Sequence, residues 1–127
     1  MPHITIECSR NIAGEIDLDK LVARVHEAVI RTGVFAVDGI RSRVAVLDHY
    51  RVSDSTENAF VHVRMRIAPG RDAATKKRVV DDVFGELCAF LQPQYDARPL
   101  ALSLEVGDLQ ETRVNKGNLR ERKAAKV

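Results

Sequence analysis

Pro2 is the residue whose type and position most directly suggest chemistry in this sequence. Removal of Met1, which a small second side chain permits, would leave a chain that starts with a secondary amine. That amine can act as a general base if low-dielectric surroundings and nearby cations lower its proton affinity toward neutrality. With Met1 retained, the same nitrogen is an amide and essentially non-basic. A proline here can equally do no more than begin a strand. Other constellations are missing. His3, His26, His49 and His62 show no H-x-x-x-H spacing, and Cys8 and Cys88 form no C-x-x-C pair, so no metal ligand set is indicated. The sequence has no G-x-G-x-x-G, phosphate loop or G-x-S-x-G elbow, which leaves nucleotide and serine-hydrolase chemistry without a foothold. His26 reads as a surface residue on a helix.

The elements that must position Pro2 follow from periodicity. His3 to Cys8 alternates, with Ile4, Ile6 and Cys8 on one side, as in a strand buried on one face. Asp17 is placed to cap a helix carrying Leu18, Leu21, Val22, Val25 and Val29 on one stripe, and Gly33 to end it in a left-handed conformation. Strands are expected at about Ile40 to Asp48 and Ala59 to Ala68, with the polar run 53–58 between them and Pro69-Gly70 breaking the second. A longer helix is expected from Asp72 to Leu91, stopped by Pro93, and Leu100 to Val106 alternates as a last strand.

The order β-α-β-β-α-β has two halves alike in pattern but without a residue-level repeat. It predicts an α+β, ferredoxin-like four-stranded sheet with both helices on one face. The helices would cover Ile4, Ile6, Val44, Val46, Val61, Val63, Met65, Ile67, Leu100, Leu102 and Leu104. Parity assigns the other face His3, Thr5, Glu7, Arg41, Arg43, Phe60, His62, Arg64, Arg66, Ser103 and Glu105. A face this polar can meet water, bind RNA or line the wet interior of an oligomer.

With 127 residues, 45% of them apolar and 30% charged, the chain is sized for one soluble domain. No apolar run is long enough for a membrane helix, and the first residues do not form a signal peptide. A cytoplasmic protein with Cys8 and Cys88 reduced is expected. The net charge of +2 hides an asymmetry: residues 112–127 hold Arg113, Lys116, Arg120, Arg122, Lys123 and Lys126 against Glu121 alone, so the rest of the chain is net negative. The division expected is a domain over 1–111 and a basic tail over 112–127. That tail can be a solvated terminus, an arm docked on a neighbouring subunit or a nucleic-acid contact. RNA-recognition modules share the element order, and Ala59-Phe60-Val61 matches part of their third-strand signature. The basic first position, the glycine and two of the three aromatic positions are absent, which removes much of the stacking mechanism. No nucleic-acid or membrane partner is expected.

Several strings, in order and at nearly the same spacing, resemble the 5-carboxymethyl-2-hydroxymuconate isomerase family of the tautomerase superfamily. They are Met1-Pro2-His3, Glu7-Cys8-Ser9, Gly39-Ile40-Arg41-Ser42-Arg43, Ala59-Phe60-Val61-His62, Gly70-Arg71 and Ala101-Leu102-Ser103-Leu104-Glu105. The resemblance runs to about Leu109. It implies a homotrimer with sheets facing inward, no cofactor, and a small-molecule substrate that is an unsaturated 2-hydroxy acid with several carboxylates, from the breakdown of homoprotocatechuate. It carries over Pro2 as the amino-terminal base and Arg41 and Arg71 as catalytic and substrate-binding arginines. Guanidinium groups suit that task because they pair with carboxylates and stabilise developing oxyanions. Arg43 shares the face of Arg41 and is a candidate for substrate binding or for an ion pair lining an interface. Pro2, by contrast, has core-facing parity, so a site at the strand ends completed by a neighbouring subunit is expected. The alternative is a trimeric relative of different specificity, or a non-catalytic one acting as a binding protein.

Overall fold

The alternating segments fold as strands because each has one face to bury. In the computed structural model, which describes residues 2–125, these are β1 (His3–Ser9), β2 (Arg41–Leu47), β3 (Ala59–Ile67) and β4 (Leu100–Asp108). The helices are α1 (Arg10–Ala13), α2 (Leu18–Arg31), α3 (Ala73–Ala97) and α4 (Leu119–Ala125), with a 3-10 turn at Val37–Gly39. The sheet order is β2-β1-β3-β4, with β1 parallel to β2, β3 parallel to β4, and β1 antiparallel to β3. Each β-α-β unit therefore keeps its two strands as direct neighbours, and the two units join through their first strands.

Both long helices are capped as their sequences dictate. The Asp17 carboxylate accepts from the Lys20 amide at 3.1 Å, and Asp72 accepts from Thr75 at 2.8 Å. That bond to Thr75 is the main reason the Asp72 carboxyl titrates below its ordinary range. Gly33, at φ 72°, ends α2 in the left-handed region. Helix α3 overruns the expected stop: Pro93 lies inside it. The proline sits on the solvent side, with Ala89 one turn before it exposed, so water can satisfy the freed carbonyl. The stop comes instead at Arg98, held extended before Pro99.

The core lies between the sheet and α2 and α3. Ile4, Ile6, Val61, Val63, Met65 and Ile67 on the central strands are fully buried, as are Leu21, Val25, Val79, Val83, Leu87 and Leu91 on the helices. Each such side chain contributes about 1.5–3 kcal/mol, which is why the central strands rather than the edges set the register. On the edges Val44, Leu100, Leu102 and Leu104 are only partly buried. Val46 departs from the expectation: it lies near the far end of edge strand β2 and is 37% exposed. Cys8 is buried and Cys88 half-buried; both are free, and burial raises both thiol pKa values. No helix among the described residues is long and apolar enough to cross a membrane.

Candidate active site

One end of the sheet gathers Pro2 and the arginines. Because β1 runs with β2 and against β3, the first residues of β1 and β2 lie beside the last of β3. The register puts Arg41, His3 and Arg66 in one cross-sheet row and Arg43, Thr5 and Arg64 in the next. Pro2 precedes β1 here, Arg71 follows β3, and β4 also finishes at this end.

Pro2 is buried, and its carbonyl accepts the Arg41 amide at 3.0 Å, the bond that opens the parallel ladder. The Arg41 side chain turns back to donate to the Gly39 carbonyl at 2.9 Å. Ser42, between the two arginines, faces the helices, where its Oγ lies 2.8 Å from Nδ1 of His26 on α2. His26 is thus a half-buried link between helix and strand, not the surface residue expected. Its hydrogen bond satisfies the one polar side chain that β2 turns inward.

Arg71 is placed by the Pro69-Gly70 turn, in which Gly70 takes φ 114°, a conformation that favours glycine. Its guanidinium stacks over the Phe35 ring at 4.8 Å and donates to the carbonyls of Ala68 (3.3 Å) and Val34 (3.4 Å). Arg43 Nη1 lies 3.2 Å from Nδ1 of His3. Burial, then the charges of Arg43 and Arg41, hold the His3 pKa below its ordinary 6.5, so the ring is neutral and able to accept that bond. Among the described residues, no carboxylate pairs with Arg41, Arg43 or Arg71.

A cleft of ≈ 300 Å³ opens beside Arg41, between the segment Ala36 to Gly39 and residues 115–121. Pro2, Arg43 and Arg71 do not line it. Two residues of this cleft had no assigned role in the sequence reading. Asp38 Oδ1 receives Arg120 Nη2 at 3.0 Å, and that hydrogen bond is the main reason its carboxyl lies below the ordinary range. Phe35, beneath Arg71, was also missed; a lone aromatic just before the Gly-Ile-Arg string was its only signal. A larger depression of ≈ 730 Å³ lies at the other end of the molecule, among Arg10 and the polar loop 48–56. It lies away from Pro2, and its Arg10 is already paired with Asp48 at 3.6 Å, so volume alone does not make it the site. No group of three His, Cys, Asp or Glu side chains among the described residues could hold a metal ion.

The chain is similar to known proteins over most of its length. The family model for 5-carboxymethyl-2-hydroxymuconate isomerase matches residues 2–123, well beyond Leu109. A 5-carboxymethyl-2-hydroxymuconate Delta-isomerase from Escherichia coli is 35% identical over 113 residues, covering 88% of this chain and 90% of that protein. A 5-carboxymethyl-2-hydroxymuconate isomerase structure from Deinococcus radiodurans R1 superposes with a TM-score of 0.87 at 32% identity, covering 96% of this chain and 93% of that one. A further crystal structure of a 5-carboxymethyl-2-hydroxymuconate delta-isomerase gives a TM-score of 0.90 at 23% identity, covering 97% and 93%, and supports the fold alone.

Proposed function

The chain belongs to the 5-carboxymethyl-2-hydroxymuconate isomerase family, and from that premise we propose that Pro2, Arg41 and Arg71 ketonise 5-carboxymethyl-2-hydroxymuconate, or a similar 2-hydroxy dienoate bearing several carboxylates. The observation that carries this reading is the end of the sheet that holds buried Pro2 together with Arg41 and Arg71, whose guanidinium groups bond only neutral carbonyls.

The reaction moves one proton and no electrons. Pro2, as a neutral secondary amine, takes the proton of the 2-hydroxyl; the O–H bond breaks and a delocalised dienolate forms. The same nitrogen returns the proton to a distal carbon of the conjugated chain, where a C–H bond forms as the 2-oxygen becomes a carbonyl. A positioned base of this kind contributes about 10²–10⁴-fold. Arg41, nearest to Pro2, stabilises the charge on the 2-oxygen, and Arg71 anchors a remote carboxylate in a paired hydrogen bond. The ring of Phe35 fixes the plane of the Arg71 guanidinium, and Arg43 lines the approach.

Pro2 faces the helices and Arg41 the open side of the sheet, so a homotrimer in which a neighbour closes the site fits both. The unpaired edges of β2 and β4 and the cationic open face each gain a partner in such an assembly. Two free thiols suit a cytoplasmic setting. The body over 1–111 then carries the chemistry, with 112–127 as an appendage to it.

The test is an ultraviolet assay for loss of the 2-hydroxymuconate chromophore. Protein lacking Met1 turns the substrate over, and a preparation retaining Met1, verified by intact mass, is nearly inactive while keeping its fold and assembly. Full activity with Met1 in place would show that another residue is the base.

A further inference from the structure

The basic tail does not trail into solvent without contact. Residues 115–121 form one wall of the ≈ 300 Å³ cleft whose other wall is Ala36, Asp38, Gly39 and Arg41. Among the described residues, its ion pair to the body is Arg120–Asp38, whose side chains are 75% and 35% exposed. Pairs this open are weakly held and exchange readily for another carboxylate. Lys116 lines the same cleft. Among the described residues, Asp38 is the one carboxylate paired to any of the three cations Arg41, Lys116 and Arg120. The volume is at the lower end for small-molecule pockets, about 300–1,000 Å³, and suits one arm of a ligand rather than a whole one.

We propose that Arg120 is a specificity-determining residue, which leaves Asp38 to bind a peripheral carboxylate of the substrate beside Arg41. Asp38 is the positioning residue: it holds the guanidinium where the substrate's carboxylate is to stand. The tail's excess of cations then has a purpose in a body that is otherwise net negative, because it draws a polyanion to this end of the sheet. The inference rests on the assignment of Arg41 to the substrate and adds to it the selection of polycarboxylate over monocarboxylate.

Two measurements on the full chain test it. In the chromophore assay, Arg120→Ala should raise KM for the tricarboxylate about tenfold, the effect of losing one charge-assisted pair. The kcat/KM for phenylenolpyruvate, which has a single carboxylate, should stay within about twofold, and Arg120→Lys should recover part of the loss because it keeps the charge but not the fork. In calorimetry, the unreactive propane-1,2,3-tricarboxylate should bind the natural chain about tenfold more tightly than Arg120→Ala. Equal effects on both substrates, or tricarboxylate binding that is absent or indifferent to Arg120, overturns the proposal. If the natural chain turns over neither substrate yet binds the tricarboxylate through Arg120, the isomerase reading fails and this one stands.

Discussion

The two ends of the sheet use the same side-chain types to opposite purposes. At the end away from Pro2, buried Ser9 donates to Asn11 Oδ1 at 2.6 Å and accepts the Phe60 amide at 3.0 Å. Asn11 Nδ2 donates to the Asn58 carbonyl at 3.0 Å, and Asn58 Nδ2 to that of Val52 at 3.0 Å. Arg98 closes the cluster, with its guanidinium bonded to the Glu15 carboxylate and to the carbonyls of Asn11 and Glu57. At the Pro2 end, Arg41 and Arg71 bond carbonyls alone. Arg98 already has an ionised partner in Glu15, whereas Arg41 and Arg71, among the described residues, have none. An arginine's acceptors, more than its presence, separate a structural role from a binding one.

The sharpest way to break this contrast is to change Pro2. Pro2→Ala leaves a primary amine of different basicity and geometry, and kcat should fall by about 10²–10⁴-fold, with thermal stability nearly unchanged. A comparable loss of folding would move Pro2 from the chemical end to the structural one. Next come the arginines. Arg41→Ala should lower kcat and kcat/KM together by about 10²-fold, as expected for a donor to the developing oxyanion, while Arg71→Ala should act mainly on KM. Small and equal effects from the two would exclude them from the site.

The mirror experiment belongs to the opposite end. Ser9→Ala strands the part-buried Phe60 amide and takes the donor from Asn11 Oδ1, which should cost about 1–3 kcal/mol in denaturant unfolding. Turnover of the protein that remains folded should be unchanged. A variant of normal stability and reduced kcat would invert the comparison.

The two ends were also unequally legible in the sequence. Alternation in β1 and β3, the caps at Asp17 and Asp72, and the polar parity of Arg41, Arg43, Arg64 and Arg66 are local signals, and the structure follows them. The resemblance carried by Gly39 to Arg43 and by Gly70-Arg71 pointed to the Pro2 end, proposed above as the site of the chemistry, because those strings hold the arginines themselves. What was illegible is non-local. Asp38 and Arg120 are 82 residues apart, and nothing in either segment names the other. Ser9 and Phe60 are 51 apart, and Ser9 read as the end of a strand rather than a hub. Pro93 misled because a proline's cost depends on whether its carbonyl partner faces water, which only packing decides.

The smallest effect concerns His3, where the strand lattice itself tunes a side chain. Its neighbours across β1 are Arg41 on one side and Arg66 on the other, with Arg43 one row on, and its pKa lies below the ordinary 6.5. As pH falls through about 6.5, the unfolded chain takes up this proton first, because its histidine is the more basic one. The unfolded state then binds more protons than the folded one, so stability declines as pH drops across that window and levels off once the folded His3 is protonated too. The contribution is therefore complete above 6.5 and lost toward acid. His3→Gln, which cannot titrate, should flatten this part of the pH–stability curve. Removing the nearer charge in Arg43→Ala should move the His3 midpoint, followed by NMR of the ring carbon, back up toward 6.5. A midpoint at or above 6.5 in the natural chain would mean that a carboxylate reaches this row. In the proposed trimer a neighbouring subunit can supply such a group, so the same titration on any assembly that forms reports what its neighbours bring to this face.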